Sequence, residues 1–286
     1  MLNTYQSTNF IGCDKSFEEA KIVMVGAPFD GTVSFRPGTR FAPSQIRLDS
    51  YGLETYSPYL DLDLEDYAVA DIGDIEFPFG NTTKVLDSIR ETISRIVAEN
   101  KKPFTIGGEH LISLPALEAV VQKYPDLRVI HFDAHTDLRD EYLGEKLSHA
   151  TVIKRIWDIL GDNKIFQFGI RSGTKQEFEW AKEHTHLNKF DISTLQEAVD
   201  TITEYPIYLT IDLDVLDPSI FSGTGTPEPG GLQMKEFLYA LRSLKYLNIV
   251  GADVVELSPH YDTSGVSTSV ACTVIREVLL LMSKTK

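Results

Sequence analysis

The sequence predicts an α/β fold built on one central, mostly parallel sheet. Short apolar runs rich in Val, Ile and Phe recur along the chain, and they alternate with stretches whose apolar residues are spaced three and four apart. Strands that are apolar on both faces are typical of parallel sheets covered by helices on either side. The alternation therefore predicts repeated strand–helix–strand units in a doubly wound sheet.

Seven segments have the composition of buried strands: 21–27, 67–72, 103–108, 127–133, 164–170, 206–212 and 249–256. Four further segments have helical spacing: 84–99, 150–160, 233–245 and 267–283. A loop rich in Gly and Pro occupies 30–47, and we expect a helix to begin at Ser44, just after Pro43.

The length of 286 residues allows one or two domains. No Gly/Ser-rich linker, repeat or low-complexity tract divides the chain. We therefore expect residues 1–286 to form a single domain.

The charge of the chain limits its partners. Lys and Arg total 27 against 42 for Asp and Glu, which gives a net charge of −15. This balance argues against nucleic-acid or anionic-membrane partners, which need a basic surface, and favours a cationic substrate or bound metal.

The two cysteines, Cys13 and Cys272, are too far apart to suggest a disulfide framework. No signal peptide or apolar run of about 18 residues is recognised, so a cytoplasmic location is expected.

Three polar motifs each follow a predicted strand: GGEH (107–110), DAHTD (133–137) and DLD (212–214). In an open parallel sheet, ligand sites gather at the carboxyl ends of the strands. Residues two apart in extended chain point the same way, so the side chains within each motif can converge. The candidate ligands are His110, Asp133, His135, Asp137, Asp212 and Asp214.

These motifs predict a metal site. A single Asp after a strand is usually a turn former or a helix cap, as we expect for Asp217. Four carboxylates packed together would repel one another, and two divalent cations would cancel their charge. Oxygen and imidazole ligands without thiolate favour Mn²⁺ or Mg²⁺, and six side chains exceed the needs of one tetrahedral zinc. Such a pair of ions lowers the pKa of a bridging water towards ~7.

Other catalytic signatures are absent from the sequence, including G-x-S-x-G, a Walker A loop, H-E-x-x-H and G-x-G-x-x-G. A dinuclear phosphoesterase is the natural rival. It would need basic residues near the metals to hold phosphate, and beyond Arg36, Arg40 and Arg139 no cluster is evident.

The motifs GGEH, DAHTD, DLDVLDP, TGTPEPGG and VVELSP, in this order over 107–259, resemble the ureohydrolase (arginase/agmatinase) family. The segments SFRPGTRFAPSQIR, LSHATVIKR and FGIRSG extend the likeness over most of the chain, and to agmatinases in particular. The resemblance implies an arginase/deacetylase-like α/β domain with an eight-stranded parallel sheet. It also implies two Mn²⁺ ions per subunit, a homo-oligomer (trimer or hexamer), and hydrolysis of guanidino compounds to an amine and urea.

The resemblance also assigns roles. One manganese ion would bind His110, Asp133, Asp137 and Asp212, and the second Asp133, His135, Asp212 and Asp214. His149 would relay protons and Glu256 would bind the substrate guanidinium. Ala150 departs from the family pattern, in which many relatives have Gly after the histidine. We expect the remaining histidines to be structural: His131, pointing away from the site, and His184, His186 and His260.

The function expected from the resemblance is hydrolysis of agmatine to putrescine and urea by a metal-bridging hydroxide, as a step of polyamine biosynthesis. Asp137 would pass the proton of the hydroxide to the leaving amine. The alternatives are an arginase, a guanidinobutyrase, a formiminoglutamase, or a catalytically silent binding protein of the same fold. The acidic segment 138–148 has few donors for the α-carboxylate of arginine, which favours agmatine, although Arg139 opposes this if it turns inward.

Overall fold

The structure, a computed structural model, describes residues 3–6 and 8–284. Its strands, in chain order, are β1 (Thr4–Tyr5), β2 (Ile22–Ala27), β3 (Tyr56–Ser57), β4 (Leu62–Asp63), β5 (Val69–Ile75), β6 (Lys102–Gly107), β7 (Arg128–Phe132), β8 (Ile165–Ile170), β9 (His186–Lys189), β10 (Pro206–Asp212) and β11 (Asn248–Val255). The α-helices are α1 (Ala42–Ser50), α2 (Thr82–Ala98), α3 (Ser113–Val121), α4 (Val152–Leu160), α5 (Lys175–His184), α6 (Leu195–Ile202), α7 (Met234–Ser243) and α8 (Val266–Ser283).

The central sheet has nine strands in the order β1-β5-β2-β6-β11-β10-β7-β8-β9. From β5 to β9 all neighbours are parallel, which confirms the predicted eight-stranded parallel sheet. The ninth strand, β1, pairs antiparallel with β5 at one edge. Its two residues are too few to show a periodic pattern, and β9 escaped prediction because its sequence, HLNK, is polar. The short hairpin of β3 and β4 is separate from this sheet.

Helices cover both faces of the sheet. One apolar layer receives side chains from α1, α6, α7 and α8, and the other receives them from α2, α3, α4 and α5. Strand β2 illustrates why the strands read as continuous apolar runs, since all six of its residues are buried. The four helices predicted from periodicity are present as α2, α4, α7 and α8. Helix α1 begins at Ala42 instead of Ser44, which places Pro43 in the first turn, where no backbone donor is needed.

Helix α8 is long and apolar enough to cross a membrane by length and composition, with a mean hydropathy of 1.5 over Val266–Ser283. This window contains Ser, Thr, Arg and Glu residues, so it is not an unbroken apolar run of about 18 residues. In addition, 72% of the helix is buried inside the protein, and its apolar residues belong to the core beneath the sheet. It therefore has the surroundings of a core helix.

The strand order brings the predicted polar motifs together at one edge of the sheet. Strands β10 and β11, from the last third of the chain, lie between β6 and β7. The carboxyl ends of these four strands meet at one edge in the middle of the sheet. Residues that follow them in sequence are thereby placed side by side.

A buried ion network anchors α1 to β5. Arg47 donates to both oxygens of Asp71, at 2.7 and 2.9 Å, and its Nη1 atom contacts Asp74. All three side chains are almost completely buried. Removing the cation would leave two carboxylates without compensation in the interior.

We expect Arg47→Met to lower the free energy of unfolding by about 3–5 kcal/mol, since breaking a buried ion pair strands its partner charge. Urea unfolding followed by circular dichroism measures the change. The matched control is Lys175→Met in the exposed Lys175–Glu179 pair, which should leave stability nearly unchanged. Equal effects of the two substitutions would contradict the expectation.

Candidate metal centre

The carboxyl ends of β6, β11, β10 and β7 carry the residues that the sequence predicted to converge. His110 follows β6 in a short 3-10 helix, and Glu256 comes directly after β11. Asp212 is the last residue of β10, and Asp133 comes directly after β7. The structure brings all six predicted ligands together at this edge.

His110 lies among a first group of carboxylates. Its Nδ1 atom is 3.1 Å from Asp137 Oδ2 and 3.2 Å from Asp133 Oδ2. Asp212 Oδ2 is 3.5 Å from the same nitrogen. All four side chains are buried. Their composition is the set that the family resemblance assigned to one ion.

His135 belongs to a second group. Its Nδ1 atom is 3.0 Å from Asp214 Oδ2 and 3.5 Å from Asp133 Oδ1. Asp133 therefore presents one oxygen to each histidine, an arrangement suited to a bridging carboxylate. Asp212 connects the two groups in another way, because its Oδ1 atom accepts a hydrogen bond of 2.8 Å from the backbone N–H of Asp214.

The unpartnered Nδ1 atom of His110 tests whether these residues fit a metal. This nitrogen is buried and has no hydrogen-bond partner of acceptable geometry within the described residues. The other ring nitrogen, Nε2, is 2.9 Å from Thr210 Oγ1. An imidazole that donates through Nε2 presents a lone pair at Nδ1, which is the form in which histidine binds a metal.

The raised pKa values of two carboxylates in the cluster also favour a metal site. Burial and the neighbouring Asp133 raise the pKa of Asp137 to about 7. Burial, followed by Asp214 and Asp133, raises the pKa of Asp212 well above its usual range. Bound cations would relieve this repulsion, and the donor set of carboxylate oxygens and imidazoles is one that hard divalent ions accept. The cluster therefore suits a binuclear metal site.

A cavity of about 260 Å³ opens beside the cluster, and His149 and Glu256 are among the residues that line it. Burial lowers the pKa of His149 to about 4, so this imidazole is neutral near pH 7. Its Nε2 atom is 3.1 Å from Ser34 Oγ. Burial and then Glu109 raise the pKa of Glu256, whose Oε1 atom accepts a 2.8 Å hydrogen bond from the backbone of His110.

Two residues of the site have left-handed backbones, Asp137 (φ 52°) and Glu256 (φ 67°). Such conformations are uncommon for residues other than glycine, and they concentrate at functional sites. Backbone hydrogen bonds hold them: Glu256 N–H donates to Gly108 (3.0 Å), and Asp137 C=O accepts from Lys154 (3.1 Å). Gly108 itself has no room for a side chain, since a Cβ there would lie 2.2 Å from the carbonyl oxygen of Phe29.

The sequence analysis was wrong about His131, which points into the site. Its Nε2 atom is 2.8 Å from Asp133 Oδ2, and its Nδ1 atom is 3.1 Å from the side-chain nitrogen of Gln167. His131 therefore orients one of the candidate ligands. The sequence could have shown this orientation, because His131 and Asp133 are two residues apart, and such residues on an extended chain point to the same side.

Glu109 was also missed, and it helps to position His149. Both of its oxygens accept hydrogen bonds from Thr32, one from the backbone N–H at 2.7 Å and one from the hydroxyl. The hydroxyl oxygen of Thr32 in turn accepts from His149 N–H at 3.1 Å. With Ala150 in place of glycine, His149 still faces the cavity, and Ala150 lines the cavity beside it.

The fold and the site together define an α/β protein with a carboxylate–histidine centre at the carboxyl edge of a parallel sheet. The sequence matches the arginase family over residues 20–281, and the chain belongs to this family. It is accordingly a hydrolase that acts on guanidino C–N bonds.

Among its relatives, an agmatinase of Bacillus cereus is 49% identical over 96% of this chain and 97% of that protein. A mitochondrial guanidino acid hydrolase of Homo sapiens is 35% identical over 91% of this chain and 78% of that protein. A protein from Clostridium difficile whose crystal structure is known is 58% identical to this chain in sequence. The two structures superpose with a TM-score of 0.92 over 94% of this chain and 99% of that one.

We expect the stability of the metal-free protein to fall as the pH rises from about 5 to about 8. The pKa values of Asp137, Asp212 and His135 are raised in the folded state, so their stabilising contribution is present at low pH and is lost as the pH passes through the folded values. Metal ions compete with these protons, so the rise in Tm caused by Mn²⁺ should grow over the same interval. Thermal unfolding with and without Mn²⁺ measures both trends, and a metal-induced shift that does not vary with pH would contradict them.

Proposed function

We propose that the protein hydrolyses agmatine to putrescine and urea with two Mn²⁺ ions in the cluster. The observation that carries the proposal is the pair of groups around His110 and His135, which share Asp133, beside a cavity lined by Glu256. The similarity to agmatinases over nearly the whole chain supports the choice of substrate. Agmatine carries two positive charges, which the net charge of −15 favours.

The chain would hold the ions with six side chains. His110 and Asp137 would bind one ion, and His135 and Asp214 would bind the other, while Asp133 and Asp212 would bridge. When bound, the ions neutralise the carboxylates and lower the pKa of a water molecule, which makes hydroxide available near neutral pH.

Glu256 is placed to hold the guanidinium. Its Oε1 atom is occupied by the backbone of His110, whereas its Oε2 atom accepts no hydrogen bond within the described part of the chain. That free oxygen lies in a buried cavity, where a hydrogen bond to a planar cation is stronger than it would be in water. The contact would orient the guanidinium carbon towards the metal cluster.

Asp137 and His149 are placed to move protons. Hydrolysis adds water across the C–N bond, so a proton must reach the departing amine nitrogen. Asp137 lines the cavity, so its carboxylate would lie within reach of the substrate and could take a proton and give it to the amine. His149 is neutral and only 15% exposed, and it can relay protons between the cavity and solvent.

The outer part of the cavity decides what the far end of the substrate meets. Arg139 lies over the ring of Tyr142, with Cζ 4.3 Å from the centroid, and its Nε atom is 3.6 Å from Glu177. Ser172, also in the cavity wall, donates to the carboxylate of Glu228 at 2.9 Å. Glu177 lines the cavity and Glu228 lies behind Ser172, so two carboxylates near one guanidinium favour an ammonium group here.

Arg139 also supports a second candidate, hydrolysis of a guanidino acid. Its Nη atoms donate no hydrogen bond within the described residues, so they are available to a carboxylate. The similarity to the human guanidino acid hydrolase makes this candidate concrete. An arginase or formiminoglutamase activity would also leave a carboxylate for Arg139 to bind.

We further propose a homo-oligomer, a trimer or hexamer, in the cytoplasm, acting in polyamine biosynthesis without nucleic-acid or membrane partners. Exposed apolar side chains support self-association: Phe35, Phe41, Leu48 and Tyr51 are 46–66% exposed, and they come from one stretch of chain. Light scattering on the purified protein tests the assembly.

We expect Asp133→Ala to abolish binding of both ions, because this carboxylate faces both histidines. Asp214→Ala should weaken mainly one ion. His149→Ala should retain both and lower kcat by roughly 10²–10⁴-fold, the usual contribution of a proton-transfer group. Elemental analysis after gel filtration gives the stoichiometry, and equal metal content in the two aspartate variants would refute the bridging assignment.

We expect agmatine to be preferred over arginine and over 4-guanidinobutanoate by at least about tenfold in kcat/KM, or about 1.4 kcal/mol. Steady-state urea release at equal Mn²⁺ measures the preference. Arg139→Gln should widen the gap between agmatine and the guanidino acid, whereas Lys146→Gln, an exposed change in the same segment, should not. Comparable turnover of arginine or the guanidino acid would overturn agmatine as the substrate and leave the family assignment intact.

A further inference from the structure

A chain of buried hydrogen bonds leads away from His110 on the side opposite the carboxylates. His110 Nε2 is 2.9 Å from Thr210 Oγ1, which is 2.6 Å from Asp253 Oδ1. The hydroxyl of Tyr208 donates to Asp253 Oδ2 at 2.7 Å. All four side chains are at most 1% exposed. Thr210 and Asp253 are directly paired on β10 and β11, so the chain crosses between two neighbouring central strands.

The burial of the Asp253 carboxylate destabilises the folded protein unless its oxygens are paired. No Lys or Arg forms an ion pair with it within the described residues, and its two partners on the neighbouring strands, Thr210 and Thr105, are uncharged. A buried carboxylate without a cation is destabilising unless hydrogen bonds satisfy it. Hydroxyl groups supply those bonds: Tyr208 and Thr210 donate to its two oxygens, and Ser113 lies within hydrogen-bonding reach as well.

The direction of the bonds follows from the donor inventory. A carboxylate accepts hydrogen bonds and donates none, so the single hydroxyl hydrogen of Thr210 goes to Asp253. The oxygen of Thr210 can then only accept from His110, which requires the hydrogen of the imidazole to be on Nε2. In the neutral imidazole, which is the form that binds a metal ion, Nδ1 then carries the lone pair, and this atom faces Asp133 and Asp137 at 3.2 and 3.1 Å.

We propose that Asp253 is a positioning residue that, through Thr210, holds His110 in the tautomer able to bind a metal ion at Nδ1. The inference rests on the proposed metal function and goes beyond it, because it assigns a role to a residue that touches neither the ions nor the substrate. Outer hydrogen bonds of this kind typically change metal affinity by about 10–100-fold when they are removed.

Thr210→Val tests the link most directly. The substitution keeps the branched shape and removes only the hydroxyl, so His110 loses its acceptor and Asp253 loses a donor. We expect Mn²⁺ binding, measured by calorimetric titration of the metal-free protein, to weaken by about 10–100-fold for the ion at His110. Thr210→Ser, which restores a hydroxyl, should recover most of the affinity.

The matched control is Thr105→Val. Thr105 is fully buried on β6 and is paired with Asp253 in the sheet, but its hydroxyl has no hydrogen-bond partner within the described residues. The chemical change and the burial are the same as at Thr210, and the difference is that Thr210 joins His110 to Asp253 whereas Thr105 bonds to neither. We expect Mn²⁺ affinity in Thr105→Val to stay within about threefold of the wild type, well below the effect expected of an outer hydrogen bond.

These measurements distinguish a failure of the proposed metal function from a failure of the role assigned to Asp253. A wild-type protein that binds no Mn²⁺ would overturn the proposed function. Two ions bound normally by the wild type and equally well by Thr210→Val would overturn only the role of Asp253. If Thr210→Val does not fold, the tautomer of His110 can be measured in the wild type. The protein is labelled with ¹⁵N-histidine and loaded with Zn²⁺, and a long-range ¹H–¹⁵N correlation spectrum shows which ring nitrogen carries the hydrogen. The His110 signal is assigned by its loss in His110→Asn. A hydrogen on Nε2 supports the proposal, and a hydrogen on Nδ1 refutes it.

Discussion

Repulsion among buried carboxylates is the constraint on which the site depends. Asp133, Asp137, Asp212 and Asp214 lie within one cluster at the middle of the sheet edge, where water is largely excluded. Burial and, after it, the neighbouring carboxylates raise the pKa values of Asp137 and Asp212. A protein can hold such a cluster only if protons or cations balance it. The exchange between protons and metal ions therefore connects stability, pH and catalysis in this chain.

The surroundings of the cluster are built from neutral or anionic groups that orient the ligands. His131 and Gln167 hold Asp133 from one side, and Thr210 and Asp253 hold His110 from another. Each contact comes from a strand inside the sheet, β7, β8, β10 or β11, which has a hydrogen-bonded neighbour on both sides. Support of this kind orients the ligand side chains before any ion binds, which is the arrangement expected of a preorganised metal site.

The substrate side of the cavity depends on loops. The loop that contains Thr32 and Ser34 is hydrogen-bonded to Glu109 and to His149, so the proposed proton relay depends on contacts between residues 77 to 117 positions apart. Arg139 and its neighbours form the outer wall. Family members that act on different guanidino compounds can share the metal centre and differ in such walls, because the reacting group is the same and only the far end of the substrate changes.

The fold class, seven of the eight parallel strands and the six candidate ligands could be predicted from the sequence alone. The apolar runs predicted the fold class and the seven strands, since a strand covered on both faces must be apolar throughout, and the motifs at the strand ends predicted the ligands. The number of eight strands followed only from the family resemblance, because β9 is polar. The sequence did not determine the strand order. Strands β10 and β11 insert between β6 and β7, and this alone sets Asp212 and Glu256 beside His110 and Asp133. It also could not show the pairing of Thr210 with Asp253, because such contacts depend on the register between strands far apart in the chain, which local pattern does not encode.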